Sequence, residues 1–360
     1  MFRKLFAWVA RYERHLSAAA MVAGFIIDNI FFSRVDLPQT EALFIGYIIA
    51  AAFAIALLHY IESRAGKGKP RPRWRSVLPL VTQFALGGMW SGFLIFYTRS
   101  ADLSTSWPFL LVLLAIFLGN EIFSKYHDKL VFTTLLFFFG LYSYAIFAVP
   151  VFTGSIGAPT FLLSGAIAAG IFILFLILLR VLGNSRFLER RWAIRGGALA
   201  ILVVINLFYF TNILPPLPLA LKSAGVYHSI VANPLGGYIG ESETSSSWQL
   251  PWAPVLEHVP PGGSLYVYSA VFAPVKLATT IVHHWEYYDT ANKKWVTASR
   301  VSFPITGGRD GGYRGYSAKT DFVPGAWRVS IETPDGKIIG RTSFTVVDAS
   351  TTPALSSVSL

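Results

Sequence analysis

Seven long apolar runs in the first 210 residues constrain this chain more than any other feature. Only 14% of its 360 residues are charged, against about 25% in an average soluble protein. Each run is long enough to cross about 30 Å of hydrocarbon, and backbone groups in lipid must be bonded internally, which predicts helices. The predicted spans are Leu16–Phe32, Ala42–Ile61, Val77–Tyr97, Trp107–Phe123, Leu130–Val149, Phe161–Leu182 and Ala193–Phe210.

Basic residues alternate between the segments that connect these spans. The N-terminal segment and the second, fourth and sixth connections hold 17 Lys and Arg residues when Arg180 and Arg195, at the adjoining span ends, are counted with them. The other three connections hold only Arg34 and Arg99. Cytoplasmic loops are enriched in Lys and Arg. The distribution predicts a multi-pass plasma (inner) membrane protein with a cytoplasmic N-terminus. After seven spans, its C-terminal region is periplasmic or extracellular.

The net charge of +11 has the same explanation, because residues 1–210 carry +10 of it and residues 211–360 only +1. We therefore expect membrane lipid, and no nucleic acid, as a partner. The chain has no cysteine, which excludes disulfides, zinc thiolates and thiol nucleophiles. His-Glu-x-x-His, Gly-x-Ser-x-Gly and Walker sequences are also missing from it, so we assign no catalytic residue, cofactor or metal.

The composition changes after residue 210. Residues 211–262 are a Pro-rich junction, in which Leu217–Val231 has few helix breakers and is compatible with a short interfacial helix. The last segment, residues 349–360, is rich in Ser and Thr, and we expect a disordered tail.

Between these segments, residues 263–348 alternate β-type runs with turn residues. Six strands in this length favour a small all-β sandwich of immunoglobulin-like type. We expect Trp285, Trp327 and Phe344 to anchor its core. The predicted strands are Leu265–Phe272, Thr280–Tyr288, Trp295–Phe303, Tyr313–Thr320, Ala326–Glu332 and Ile338–Val346.

The β-type region also carries a pattern of Gly, Trp and Arg at turn spacings. It comprises Trp285, Gly307-Gly308-Arg309, Tyr313-Arg314, Ser317, Lys319, Pro324-Gly325-x-Trp327-Arg328-Val329, Gly336, Gly340 and Phe344-Thr345-Val346. This pattern resembles the bacterial domain-of-unknown-function family twenty-nine-fourteen, whose members often place the module after a polytopic membrane region. The resemblance implies a bacterial envelope protein, and it implies no activity or catalytic residue.

Two motifs in this region invite a chemical interpretation that the local pattern does not favour. His283 and His284 are adjacent on a predicted strand and point to opposite faces, so they cannot chelate one ion together. His283 shares a face with Trp285, which favours a packed core histidine. The stretch Gly307–Gly312 precedes a predicted strand rather than the helix of a phosphate loop, and Asp310-Gly311 is typical of a hairpin turn.

A group of aromatic and basic residues gives the candidate binding surface. Aromatic faces beside cations could stack on sugar rings or bind an anionic envelope polymer. The alternative, which the sequence favours, is core packing with a few cross-strand pairs. The candidate binding residues are Tyr287, Arg309, Arg314, Tyr316 and Lys319.

Polar residues within the spans give a second set of candidates. An intramembrane carboxylate is a functional hypothesis by default, although acids near span ends can simply lie at the interface. These polar residues are Asp28, Asn29, Gln83, Glu121 and Asn206. Small residues at helical spacing, such as Gly88/Gly92 and Gly165/Ala169, predict close helix contacts.

Two functions from different classes follow. The first is a membrane anchor or scaffold whose extracytoplasmic sandwich binds a membrane or envelope protein or an envelope polysaccharide. The alternative is a transporter or lipid-handling enzyme with its site within the helix bundle. The missing catalytic motifs favour the first function.

Overall fold

The computed structural model describes residues 25–360, except 27, 31, 33, 123–128, 235, 244–254 and 352. The chain divides into two compact units. The helical unit extends to Leu214, and the β unit comprises Pro215–Leu360 together with Arg99–Thr105.

Six of the seven predicted spans are confirmed as long helices with enough apolar character to cross a membrane. A 3-10 helix, Arg73–Ser76, precedes the second of them. Of the predicted span Leu16–Phe32, most lies outside the described residues, and the described part from residue 25 to residue 30 is helical. The six α-helices are α1 Pro38–Ala65, α2 Val77–Ser100, α3 Leu103–Ile122, α4 Leu130–Thr153, α5 Ala158–Leu182 and α6 Asn184–Phe210.

Helix α4 forms the centre of the helical unit. Its buried aromatic residues include Phe137, Phe138, Tyr142 and Phe147. The Phe138 ring packs at a tilt against Phe172 of α5, with 4.3 Å between ring centroids. Helices α5 and α6 instead expose large apolar side chains, which is typical of a surface that contacts membrane lipid.

Glycines let the helices approach one another closely, as predicted. A Cβ atom added to Gly88 of α2 would lie 2.5 Å from the ring of Tyr47 on α1. One added to Gly165 of α5 would lie 2.8 Å from the hydroxyl of Tyr142 on α4. These side chains occupy the space that a larger residue would need.

The β unit has eleven strands among its described residues, and the six predicted strands correspond to β5–β10. The strands are β1 Ala220–Tyr227, β2 Ser229–Ala232, β3 Tyr238–Glu243, β4 Val255–Val259, β5 Leu265–Phe272, β6 Ala278–Asp289, β7 Lys294–Thr306, β8 Tyr313–Lys319, β9 Gly325–Glu332, β10 Ile338–Asp348 and β11 Leu355–Ser359.

Two of the sheets share one core. A three-stranded sheet of order β1-β5-β8 and a five-stranded sheet of order β4-β10-β9-β6-β7 both contribute to one buried cluster. The predicted anchors Trp285, Trp327 and Phe344 all lie in this cluster, each 2% exposed or less. Val226 of β1 and Val259 of β4 complete it, so the core draws on residues outside the predicted 263–348 boundary.

A third sheet, of order β11-β3-β2, packs on the other face of β5. Ile230 of β2 and Tyr238 of β3 pack there against Tyr268 and Ala270 of β5. Because both faces of β5 are covered, its sequence shows a nearly continuous apolar run rather than clean alternation.

Strand pairing in the β unit corrects two predictions. The segment Leu217–Val231, considered for an interfacial helix, instead contains β1 and β2, because β1 pairs with β5 over seven residues. The tail expected to be disordered contains β11, which pairs with β3. In both places, backbone pairing with a distant strand overrides a weak local preference.

The Gly307–Gly312 connection is structural but is not a hairpin. It joins β7 and β8, which lie in different sheets. A Cβ atom on Gly307 would lie 1.6 Å from the carbonyl oxygen of Pro274, and Gly312 has a φ of +85°. The predicted hairpin is therefore wrong, since the chain crosses here from one sheet to the other.

Candidate functional site

The predicted binding residues lie in three places. Arg314 and Tyr316 are exposed on β8 and share a face. Tyr287 and Lys319 both lie beside Trp327. The ring centroids of Tyr287 and Trp327 are 5.5 Å apart, and the Lys319 ammonium is 5.8 Å from the centroid of the Trp327 ring. Arg309 lies in the β7–β8 connection, with its guanidinium 5.3 Å from the ring of Tyr313.

Tyr316 forms an aromatic surface together with Tyr238 and Tyr266, which we call the tyrosine surface. The Tyr316 centroid is 5.4 Å from that of Tyr238 and 6.1 Å from that of Tyr266. Arg314 borders this surface, since a Cβ atom on Gly237 would meet its guanidinium. Tyr238 and Tyr266 come from strands whose sequence gives no sign of this proximity.

The predicted intramembrane polar residues are distributed over the helical unit. The backbone oxygen of Gln83 accepts a hydrogen bond from Asn120 Nδ2 at 3.1 Å, and Asn206 Nδ2 donates to the Tyr142 hydroxyl at 3.2 Å. These bonds link α2 to α3 and α4 to α6. Asp28 is half-buried and Asn29 is exposed.

Glu121 lies in the last turn of α3, and its side chain is outside the described part of the structure.

The two adjacent histidines point to opposite faces of β6, as predicted. His283 is fully buried, with Nε2 2.8 Å from Ser269 Oγ and Nδ1 2.9 Å from Ser317 Oγ. Trp285 Nε1 also donates to Ser317 Oγ. Burial lowers the pKa of His283 to about 4, so this residue is a neutral core histidine.

A different histidine lies in a group with metal-ligand chemistry, which we call the His–Glu cluster: His228, Glu243 and Glu257. His228 follows β1, Glu243 ends β3 and Glu257 lies on β4. His228 Nε2 is 3.0 Å from Glu243 Oε1 and 3.2 Å from Glu257 Oε2. One ligand atom from each residue can be chosen so that all three lie within 4.8 Å of one another.

His258 supports the cluster from the next position on β4. Its Nδ1 lies 2.8 Å from Glu243 Oε2, and its backbone N–H donates to Glu243 Oε1. These contacts fix the orientation of the Glu243 carboxylate.

Burial and charge act in opposite directions on the cluster. Burial raises the pKa of Glu257, although contact with His228 partly offsets this. Burial alone would lower the pKa of His228, but hydrogen bonds and charge from Glu257 and Glu243 raise it overall. The pKa of Glu243 is lowered, because hydrogen bonds from His258 and His228 outweigh its burial.

Sequence reasoning did not find the His–Glu cluster, because its members are spread over the segment interpreted as a Pro-rich junction. Their spacing matches no metal-binding motif. The one local signal is the adjacent pair Glu257-His258, which by itself carries no information about a third ligand.

A second His–Glu pair shows what distinguishes the cluster. His284 Nδ1 lies 3.4 Å from Glu332 Oε1, and the guanidinium of Arg300 lies 2.5 Å from the same oxygen. The permanent positive charge of Arg300 therefore compensates the charge of the Glu332 carboxylate. Glu257 instead faces a titratable histidine and another carboxylate.

Comparison with known families matches residues 278–346, from β6 to β10, to the family described as "Protein of unknown function (DUF2914)". This chain carries a C-terminal DUF2914 module. The His–Glu cluster lies outside the matched residues of the DUF2914 module. No curated protein matches the chain.

Two solved structures show weak similarity. A β-glucosidase from Listeria innocua in complex with gluconolactone is 12% identical with a TM-score of 0.19, and the match covers 30% of this chain and 16% of that one. Pseudomonas fluorescens alkylpurine DNA glycosylase AlkC, bound to DNA containing an abasic site analog, is 8% identical with a TM-score of 0.22, over 85% of this chain and 99% of that one. Neither similarity identifies a fold.

Proposed function

We propose that this chain is a bacterial inner-membrane scaffold that presents its β unit outside the cytoplasm. There the tyrosine surface binds an anionic envelope polysaccharide. In this proposal the helical unit has seven spans, and the two sheets that share a core form an immunoglobulin-like sandwich.

The membrane part of the proposal is supported by six long apolar helices and by the distribution of basic residues. Lys67 lies between α1 and α2, in the most basic connection. The positive-inside rule places that connection in the cytoplasm, and alternation along seven spans then places the β unit on the other side.

The tyrosine surface is the observation that carries the binding proposal. Tyr316 is 40% exposed and lies with two other tyrosine rings beside the exposed Arg314. Aromatic faces stack on sugar rings, and a guanidinium binds carboxylate or phosphate groups with two parallel hydrogen bonds. Strand β8 pairs only with β5, so its other edge is free of strands within the described sheets.

The test measures binding of polygalacturonate, an anionic polysaccharide, to the full chain in detergent. We expect Tyr316→Ala and Arg314→Ala each to weaken binding by about tenfold, which corresponds to about 1.4 kcal/mol. Lys319→Ala is the matched control, because Lys319 lies beside Trp327 instead. Equal binding by all four proteins would contradict the proposal. Capture of a protein instead, with the same dependence on Tyr316, would replace the polysaccharide with a protein partner.

Reporter fusions test the orientation separately. A periplasm-active reporter fused after Gly240 should be active, and one inserted near Lys67 should be silent. The opposite pattern would place the β unit in the cytoplasm.

One observation favours the alternative, a transporter or lipid-handling enzyme. Helices α3, α4 and α6 line an open apolar groove of about 330 Å³, which includes Ile116, Phe139 and Val204. If the bundle carries the activity, Asp28→Asn or Glu121→Gln should abolish complementation of a deletion strain. If the tyrosine surface carries the activity, Asp28→Asn and Glu121→Gln should both leave complementation nearly unchanged, and Tyr316→Ala should reduce it.

A further inference from the structure

We propose that His228, Glu243 and Glu257 bind one divalent transition-metal ion of the zinc class. The site ties β4 of the five-stranded sheet to β3 of the third sheet and to the residue that follows β1. It is independent of the tyrosine surface.

The distances within the His–Glu cluster suit such an ion. Zinc binds histidine nitrogen and carboxylate oxygen at about 2.0–2.2 Å, so two ligands of a tetrahedral site lie about 3.3–3.6 Å apart. His228 Nε2 lies 3.0 Å from Glu243 Oε1 and 3.2 Å from Glu257 Oε2. Shifts of a few tenths of an ångström therefore bring His228 Nε2 to the ligand–ligand separation with either carboxylate, and the ligand atoms of all three residues already lie within 4.8 Å of one another.

Glu257 gives a second, independent indication of a ligand. It is 3% exposed, and its Oε2 points at His228 Nε2, 3.2 Å away, with no further hydrogen bond to a described residue. Burying a carboxylate against a single titratable partner is costly. Direct coordination of a cation removes that cost, because the oxygen then contributes its lone pair to the ion.

The surroundings of the cluster resemble an outer ligand shell. His258 holds Glu243 through both its ring and its backbone, as outer partners do for ligating carboxylates. The donor set of one imidazole and two carboxylates favours zinc-class ions over calcium and magnesium, which prefer all-oxygen sites.

The test titrates Zn²⁺ into the full chain in detergent, after chelator treatment, in competition with a chromophoric chelator. We expect one ion per chain. Loss of an outer partner lowers metal affinity by roughly 10–100-fold. His258→Asn should lower the Zn²⁺ affinity within that range, and Glu257→Gln, which removes a ligand, should lower it by more. Glu332→Gln is the matched control, since it makes the same change in the other buried His–Glu pair and should leave the affinity unchanged.

Two further measurements make the result independent of variant folding. Co²⁺ bound to the wild-type chain should show the visible absorption of a tetrahedral site, and Zn²⁺ should raise the Tm of the wild type but not of Glu257→Gln. Absence of Zn²⁺ binding would overturn the proposal. So would equal Zn²⁺ affinity in wild type and Glu257→Gln, or displacement of Zn²⁺ by millimolar Ca²⁺ or Mg²⁺.

Discussion

The two units satisfy their polar side chains in different ways. In the helical unit, hydroxyls commonly bond to their own helix one turn back, as Thr82 does to Leu78 and Ser164 to Thr160. In the β unit, buried polar groups meet partners far along the chain. His283 joins Ser269 and Ser317, and His228 joins Glu243 and Glu257.

This difference follows from the secondary structure. A helix places residue i beside the carbonyl of residue i−4, so a hydroxyl finds a local acceptor. A strand has no such local partner, and its side chains meet those of other strands and sheets. Sites in the β unit therefore depend on the whole topology, whereas single helices can form with much of their polar chemistry already satisfied.

The largest expected effect concerns the boundary of the β unit. We expect a fragment of residues 215–360 to fold as a soluble β-rich protein, and a fragment of residues 263–348 to remain unfolded. The shorter fragment lacks β1 and β4, and with them the core residues Val226 and Val259. Circular dichroism of both fragments measures this, and a cooperative β-rich fold in the shorter one would show that distant pairing is dispensable.

Trp327→Ala should destabilise the 215–360 fragment by about 3–5 kcal/mol, because it empties a core position. Trp327 is 2% exposed and packs with Phe322 and Tyr287. Urea unfolding gives the free energy. Trp295→Ala is the control, since Trp295 is only partly buried, and an equal loss in both variants would argue against a core centred on Trp327.

Acid should weaken the β unit through His283. Its pKa of about 4 in the folded state lies below its unfolded value of about 6.5, so the unfolded chain binds the proton first and stability falls as the pH drops below about 6.5. The loss from pH 7 to pH 4.5 should be about 2 kcal/mol. His283→Gln should remove this part of the pH dependence, and an unchanged profile in that variant would assign it to other groups.

The smallest effect tests a close helix contact in the helical unit. Gly88→Ala should destabilise the chain by a net ~1 kcal/mol, because the clash with Tyr47 exceeds the gain in helix propensity. Gly46→Ala is the matched control, since a Cβ there meets nothing within 4 Å, and it should raise the Tm in detergent slightly. A higher Tm for Gly88→Ala would show that Tyr47 moves aside freely.

Features that depend on neighbouring residues could be predicted from the sequence. The spans that became α1–α6 and the strands β5–β10 are marked by apolar runs, alternation and turn residues within short windows. The core position of His283 also followed from its place two residues before Trp285 on one strand face. The DUF2914 module is similarly compact in sequence, since it occupies β6–β10.

Features that depend on pairing between distant segments were decided by the tertiary structure. Leu217–Val231 and the Ser/Thr-rich tail have weak local preferences, and they became strands because β5 and β3 offer them backbone partners. The tyrosine surface joins Tyr238 of β3 to Tyr316 of β8, and the His–Glu cluster joins residues separated by 14 or more positions. The sequence by itself determined the helices that are apolar enough to cross a membrane and the strands β5–β10, because burial and turn chemistry act locally. Only the tertiary structure decided which side chains meet, because that depends on sheet order and register.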